Sequence, residues 1–496
     1  MTLNLIHDRW IPVLDRQDNR HVIAPWQIAD LQWLRPDWPR ADLNIACLEL
    51  LIGLVFLADP PADLIDWRDR QMPDPDRLCE RLVPFAPAFN LTGEGPLFLQ
   101  DLAPLAGEPN PPDMLFIDSA GGQTARNNAD LLVHRNRYGA LDEGLAAMAL
   151  FAFQAHAPSG GAGNRTSMRG GGPLVTLIDP GQGLWSMVWA NVPDGRPGVM
   201  ADLPWMRATR VSDTGAETLP PPGATFGVEA FFGMPRRLRL MTDARGVTGI
   251  VQRPYGTNYA LWLHPLTPYY RQKPGTEALP VHPRAGAFGY RHWLGILADA
   301  RDRALAERAL CLRNWDARLD QALTRGATVI VAGWAMDNMK PRDFTWSVQP
   351  EVSLPLGPAV MLAGLVEAAE SGALALRAAL EPVLAGGEVR EGVREAFYQA
   401  TEAGFRARFA DLVAGRDLLA VGADWLADLR RQALAQFDGL ALPALAGRET
   451  DAIQAIVAAR GRLIGSFSGY GKYGEKMYDV LMLNRPEAAV KKGRAA

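Results

Sequence analysis

Three segments of the sequence carry residue types that could bind another molecule, and the most unusual is a glycine-rich loop. Residues 157–173 read APSGGAGNRTSMRGGGP, with six glycines and two arginines in one stretch. Glycine lets a backbone approach another surface closely, and exposed N–H groups beside arginine suit anions and the edges of nucleic-acid grooves. The alternative interpretation is a flexible connector, because glycine-rich loops are common.

Two shorter basic segments add to this loop. Residues 333–342 (GWAMDNMKPR) follow the apolar run 328–332, so that Asp337, Asn338 and Lys340 form a candidate recognition turn. Asn and Asp are equally frequent in ordinary turns. Residues 131–139 (LLVHRNRYG) combine basic residues with an aromatic, and such a loop can follow a phosphate backbone or simply be a solvated charged loop.

Catalytic and metal-binding patterns are lacking in the sequence. The seven histidines never recur at HxH or HExxH spacing, and the three cysteines are far apart. Residues 465–473 (GSFSGYGKY) resemble a P-loop but misplace its first Gly and replace its Ser/Thr by Tyr473, which removes the Mg²⁺ ligand. No GxSxG elbow occurs. We therefore predict a protein that is not an enzyme and has no metal or other cofactor.

The elements that must position these segments fall into two predicted domains. Residues 1–355 have the mixed pattern of an α+β domain with long loops, with strands at 174–178 and 328–332 and helices at 43–57, 141–154 and 290–323. After the proline-rich stretch 354–358 the composition turns to Ala, Leu, Glu and Arg, which favour helices. An all-α four-helix bundle is predicted over 358–496, with helices at 359–380, 388–409, 417–437 and 451–464.

The amino-acid composition neither indicates nor excludes a nucleic-acid partner. The 496 residues are 48% hydrophobic and 21% charged with a net charge of −4, so DNA binding would require a local basic strip. The N-terminus meets a charge before any signal-like apolar run, and no run reaches transmembrane length. We expect a cytoplasmic protein without a membrane partner.

Four motifs in order resemble a known family. Residues 5–13 (LIHDRWIPV), 168–173 (MRGGGP), 262–265 (WLHP) and 333–340 (GWAMDNMK) are similar to landmarks of the CasA family, the large subunit of the type I-E CRISPR Cascade complex. The resemblance implies a non-catalytic subunit that reads the protospacer-adjacent motif of double-stranded DNA from the minor groove. It also implies help in unwinding the duplex for crRNA-guided R-loop formation. The implied partners are crRNA, target DNA, the backbone, small and crRNA-processing subunits, and a nuclease-helicase.

The same resemblance implies roles for individual positions. The family's DNA-binding glycine loop falls on Ser159, Gly160, Gly161, Ala162 and Gly163, with Arg165 following. Its strand-separating wedge falls on Asp337, Asn338 and Lys340, and its basic finger falls on Arg253. A loop that contacts RNA and a neighbouring subunit falls near 132–145, with His134, Arg135 and Arg137. Ser159 and Ala162 replace glycines of the family, so the resemblance does not imply which motifs are accepted. The alternatives are an enzyme with a phosphate-binding glycine loop and the large subunit of another CRISPR subtype.

Overall fold

The structure, a computed structural model, describes residues 2–119, 124, 126–128, 130, 133–161, 163–323 and 326–486. The chain forms two compact units. The first comprises Met1–Ala287 and Glu307–Glu351, and the second comprises Phe288–Ala306 and Val352–Ala496. The first is an α/β region and the second is largely helical.

The first unit contains short helices and several small sheets. Its α-helices are α1 (Ala41–Ala58), α2 (Leu64–Asp69), α3 (Pro75–Leu82), α4 (Glu143–His156), α5 (Leu184–Asn191) and α6 (Leu310–Arg318). Its strands are β1 (Ile11–Asp15), β2 (Arg20–Ile23), β3 (Trp33–Pro36), β4 (Val175–Asp179), β5 (Arg237–Asp243), β6 (Gly246–Arg253), β7 (Tyr269–Tyr270) and β8 (Leu279–Pro280), then β9 (Ala306–Glu307) where the chain re-enters this unit, β10 (Thr328–Asp337) and β11 (Lys340–Pro350). Short 3-10 helices lie at Pro25–Ala29, Val83–Ala88, Pro112–Leu115, Met200–Asp202, Pro204–Met206, Val228–Ala230 and Leu319–Gln321.

One sheet supports two of the segments that sequence analysis selected. Its strand order is β11-β10-β4, and all neighbours are antiparallel. Val175 of β4 pairs with Ala332 of β10, and Asp337 pairs with Lys340 across the β10–β11 turn. Because β10 is the central strand, its run from Val329 to Gly333 is buried and uniformly apolar. The predicted strands at 174–178 and 328–332 are confirmed, and the second is longer than predicted.

Helix α1 forms the centre of the first unit. It is apolar nearly all around, which is the pattern of a helix buried on every side. Helix α1 and the helix Leu356–Ala379 are long and apolar enough to cross a membrane, but 89% and 72% of their most apolar windows are buried inside the protein. Both therefore fit the description of core helices. The predicted helices at 43–57 and 141–154 are confirmed as α1 and α4.

The second unit contains helices α7 (Leu356–Ala379), α8 (Gly387–Val413), α9 (Leu418–Ala441), α10 (Thr450–Ser466) and α11 (Gly471–Val480), with 3-10 turns at Tyr290–His292 and Pro443–Leu445. The four predicted helices are present. The fifth, α11, was missed because it is short and polar, and buries only Gly474, Met477 and Val480. The four-helix description therefore omits one helix, and residues 487–496 lie outside the described residues.

The prediction of one helix over 290–323 was wrong. Within that stretch only Leu310–Arg318 is α-helical, and Gly295 has a left-handed φ of +78° that interrupts any regular helix. Tyr290 and Trp293 are fully buried in the helical unit, where Tyr290 stacks on Phe405 with ring centroids 4.3 Å apart. Residues 290–306 belong to the second unit and residues 307–323 to the first, so the two halves of this run pack in different units. This tertiary packing overrides the helical propensity of the run.

Candidate nucleic-acid interface

The glycine loop is an exposed turn that is tied at its base. Ser159, Gly160 and Gly161 are exposed, whereas Ala162 lies outside the described residues. The Asn164 N–H donates to the Gly161 carbonyl at 2.8 Å, and the Gly160 N–H donates to the Asn164 carbonyl at 3.3 Å. Gly161 and Gly163 have φ of +65° and +79°, which ordinary side chains disfavour. The loop thus presents backbone on a turn that only glycine-like residues form easily.

A buried ion network holds both ends of this loop. His156 precedes the loop and Arg169 follows it, and both contact Glu49 in the middle of α1, at 2.6 and 2.5 Å. Burial alone would raise the pKa of Glu49, but the charge of Arg169 and the interactions with His156 outweigh burial and hold the pKa of Glu49 well below the usual range. Arg169 also donates to Thr267 Oγ1 at 3.2 Å. Because a buried carboxylate is stable only when paired, this network fixes where the loop starts and ends.

The hairpin β5–β6 brings the predicted basic finger to the same loop. Arg253 is exposed at the end of β6, and the preceding Gln252 donates its side-chain amide to Asn164 Oδ1 at 2.7 Å. The Tyr255 N–H donates to the Gly163 carbonyl at 2.8 Å. The structure therefore brings the strand end that carries Arg253 directly against the glycine loop.

The predicted wedge is the tip of the long hairpin β10–β11. Asn338 and Met339 form a two-residue turn with φ of +48° and +63°, the left-handed values of a type I′ hairpin turn. Asn338 is exposed and donates to Asp337 Oδ1 at 3.1 Å, while Asp337 pairs with Arg342 at 2.8 Å. Lys340 is exposed. The tip is thus a preformed projection whose carboxylate is already paired.

The loop and the hairpin share one support. Residues 170–173 follow the loop and cross β10, where a Cβ on Gly172 would lie 2.4 Å from the Trp334 carbonyl oxygen. A Cβ on Gly333 would lie 2.3 Å from the Pro173 carbonyl oxygen. These close backbone approaches account for Gly172 of the GGGP motif and for Gly333 of the GWAMD motif. Through these contacts the segment that follows the glycine loop packs directly against β10, the strand that leads to the hairpin tip.

The third predicted segment is less available for binding. Arg137 forms an ion pair with Asp118 at 2.8 Å, which Arg40 also contacts at 3.1 Å. The Arg135 guanidinium is paired with Asp130. His134 is exposed, and Leu132 at the start of the predicted RNA-contact loop lies outside the described residues. Both arginines have carboxylate partners here, so RNA binding by them would require competition with those partners.

Sequence reasoning missed three residues at this surface. Tyr255 has a φ of +60°, is 39% exposed and lies against Gly163, where a Cβ would meet its ring at 2.6 Å. Met339 is 52% exposed at the hairpin tip. Arg236 lies beneath the glycine loop with only 4% of its surface exposed. Of these three residues, only Tyr255 could have been found from the sequence, because it is an aromatic that closely follows Arg253 at the end of a strand.

No group of three or more His, Cys, Asp or Glu side chains suited to a metal ion occurs in the described ranges. Cys47 and Cys311 are buried, and burial raises the pKa of each thiol to about 12. Such thiols are poor nucleophiles at neutral pH. The arrangement is suited to binding through exposed backbone, arginine and a projecting tip.

Comparisons with known proteins agree on one family. Residues 4–436 match the family model described as CRISPR-associated protein Cse1. Similar solved structures are CasA (Cse1) from Thermus thermophilus, at 20% identity and TM-score 0.72 over 94% of this chain and 99% of that chain, and Cse1 from Thermobifida fusca, at 19% and 0.69 over 97% and 98%. A chain of a structure titled CRISPR RNA-guided surveillance complex matches at 16% and 0.65 over 93% and 99%. At these identities the structural matches establish the fold.

Proposed function

Since the chain belongs to the CRISPR-associated Cse1 family, the large subunit of the type I-E surveillance complex, we propose that it reads the protospacer-adjacent motif of duplex DNA and helps to open the strands. The observation that carries this proposal is the common support of three elements. The exposed glycine loop, the Arg253 strand end and the β10–β11 tip are built on contacting segments of one unit.

Each element supplies a different step. The glycine loop offers backbone without side chains at Gly160 and Gly161, so it can approach the narrow minor groove. Arg165 follows the loop, and Arg253 adjoins Gln252, whose side chain contacts it; arginine at both positions suits phosphates or groove edges. The minor groove distinguishes few base pairs, so tolerant recognition of several related motifs follows. Ser159 and Ala162 would alter which ones are accepted.

Strand opening is assigned to the hairpin tip. Asn338 is part of the two-residue turn at the end of the hairpin, and Lys340 adds a positive charge beside it. A projecting tip of this kind can hold the first separated base pairs apart while the guide RNA pairs with the target strand. The complex would then extend the heteroduplex without further sequence reading by this chain.

The remaining partners follow from the same family role. The proposed partners are crRNA, the backbone, small and crRNA-processing subunits, and a separate nuclease-helicase that this subunit recruits. The helical second unit is the proposed contact for the small subunits and the displaced strand. Cleavage is assigned to the recruited enzyme, and this chain is proposed to have no catalytic activity.

The test compares the assembled complex with the isolated chain. The complex should bind a matched duplex carrying an accepted motif at least tenfold more tightly than the same duplex with a scrambled motif, while the isolated chain binds either weakly. Equal binding to both duplexes would contradict motif reading. Tight binding of a nucleotide by the isolated chain, or its hydrolysis after repurification, would instead favour an enzyme with a phosphate-binding loop.

A further inference from the structure

Arg236 is a buried cation for which the described part of the chain provides no carboxylate partner. Its side chain is 4% exposed, and its guanidinium donates to the carbonyl of Pro158, at the start of the glycine loop. Its Nε has no hydrogen-bond partner among the described residues. The guanidinium also lies over the Phe153 ring, 5.1 Å from its centroid. Burial lowers the pKa of Arg236 to about 10, which leaves it charged at neutral pH.

The neighbouring arginines show that this is not a general feature of the unit. Arg237, the next residue, pairs with Asp101 at 2.7 Å, and Arg207 pairs with Glu229 at 2.8 Å. Arg165 is the other exception near the loop, since it donates to the side chain and the carbonyl of Ser212, both at 2.8 Å. Among the described residues, Arg236 and Arg165 therefore place positive charge at the glycine loop without a carboxylate partner.

Gly160 links this charge to the surface. A Cβ on Gly160 would lie 2.9 Å from Nη1 of Arg236, so the guanidinium occupies the space directly beneath the exposed loop backbone. Gly160 does not have a left-handed φ, so the physical reason for glycine at this position is crowding by the Arg236 guanidinium and by the Asn164 Cβ, which a Cβ would also meet at 2.9 Å. Only the loop backbone separates the charge from whatever binds on top of it.

An uncompensated buried charge destabilises a free protein, because the desolvation of the ion is not repaid by a partner. An anion bound on the loop offsets this desolvation cost, because the attraction between charges a few ångströms apart is weakly screened in such a site. The anion must be approachable by bare backbone and must also accept hydrogen bonds. A phosphodiester of a nucleic-acid backbone satisfies both requirements.

We propose that Arg236 is the buried counter-charge of a phosphate subsite, in which one backbone phosphate of bound DNA lies on the Gly160–Gly161 backbone above the guanidinium. The inference rests on the proposed function and extends it, because it assigns a residue that anchors the backbone of the duplex rather than its bases. Arg236 acts through the loop and is in this sense a positioning residue. Its contribution to affinity is independent of base sequence.

The test uses the assembled complex with Arg236→Met, which removes the charge and keeps a long apolar stem against Phe153. Arg236→Lys keeps the charge and loses the planar fork. The matched control is Arg16→Met, because Arg16 likewise donates to backbone carbonyls, those of Leu31 and Gln182. Affinity for the matched duplex is measured over a range of salt concentrations, and thermal unfolding is measured for each purified chain with and without sulfate.

Arg236→Met should weaken duplex binding roughly tenfold near physiological salt. It should also reduce the slope of log affinity against log salt by about 0.9, the value of one phosphate contact. Its free chain should unfold at the same or a higher temperature, because an unpaired charge has been removed. Arg236→Lys should keep the salt slope, and Arg16→Met should change neither quantity. A purely structural arginine would give the opposite pattern: a lower unfolding temperature and an unchanged slope.

Four outcomes are informative in different ways. Wild-type complex that does not distinguish motif from scrambled duplex contradicts the proposed function itself. Wild-type discrimination with an unchanged salt slope in Arg236→Met overturns the phosphate subsite alone. Equal losses in Arg236→Met and Arg236→Lys also overturn it, since the charge would then be irrelevant. Stabilisation of the free chain by sulfate, abolished in Arg236→Met while DNA binding is unchanged, would assign the site to a free anion instead of DNA.

Discussion

Replacing Gly161 by Asn should separate the need for a bare backbone from the need for a stable loop. A Cβ at this position meets no heavy atom within 4 Å, so the protein itself leaves room for a side chain. The φ of +65° would cost an ordinary residue about 1–2 kcal/mol, and Asn less, because its short polar side chain tolerates this conformation. We expect the unfolding temperature of Gly161→Asn to fall by no more than about 4 °C.

The loss of DNA binding should be larger than the loss of stability. The new side chain would stand on the exposed face of the loop, at the surface that is proposed to approach the minor groove. Initial binding of the matched duplex by the assembled complex should weaken at least tenfold, or about 1.4 kcal/mol. The assay is equilibrium binding of labelled duplex, with unfolding of the free chain followed in parallel.

Gly163→Ala is the contrasting variant. Its Cβ would meet the Tyr255 ring at 2.6 Å, and its φ of +79° is also left-handed, so both stability and binding should fall. Wild-type affinity in a well-folded Gly161→Asn complex would refute the assignment of this loop to groove approach.

Three further predictions concern the supports of the site. Glu49→Gln should cost about 3–5 kcal/mol at neutral pH, because Arg169 would remain buried without its carboxylate. The folded-state pKa of Glu49 lies well below the usual 4.5, so ionised Glu49 stabilises the fold above pH 4.5, and this stabilisation is lost as the pH falls from 4.5 through the folded-state pKa. Denaturant unfolding of Glu49→Gln should therefore depend less on acid pH than unfolding of the wild type. An unchanged acid dependence would contradict the ion network. Met339→Gly should stabilise the left-handed turn by about 1 kcal/mol yet slow R-loop formation, and faster formation would rule out a role for the exposed Met339. Limited proteolysis should cut within 352–358. The two fragments should stay associated until they are denatured, because the N-terminal fragment contains Tyr290, which is buried in the helical unit. Separation of the fragments on native gel filtration would contradict this prediction.

The elements with strong local patterns could be predicted from the sequence. The apolar runs of α1, β4 and β10 and the Ala/Leu-rich helices after residue 355 each have a period and clear end signals. The run 290–323 could not be assigned, because it passes between two units and its buried Tyr290 and Trp293 are fixed by tertiary contacts. Helix α11 spans only ten residues and contains two glycines, so neither its length nor its helix propensity predicted it.

Candidate site residues could be selected from the sequence where a residue type is unusual, and not where neighbours in the folded chain decide whether a residue is available. The glycine loop and the Asp337–Asn338 turn were selected from composition and turn chemistry. Arg137 was selected on the same grounds, yet Asp118 lies beside it and pairs with it. Arg236 was overlooked because its lack of a carboxylate partner, within the part of the chain that the structure describes, is a property of the folded chain that no spacing in the sequence encodes.

The most direct measurement of the central claim compares two complexes on two DNA targets. One complex carries Gly161→Asn and the other Asn338→Ala; one target is a matched duplex, and the other has unpaired bases beside the motif. The rate of R-loop formation is followed for each. Pre-melting removes about 1–2 kcal/mol of stacking per opened step, so it should restore Asn338→Ala largely and Gly161→Asn little. Equal rescue of both variants, or no defect in either on the matched duplex, would contradict the division of motif binding and strand opening between these two elements.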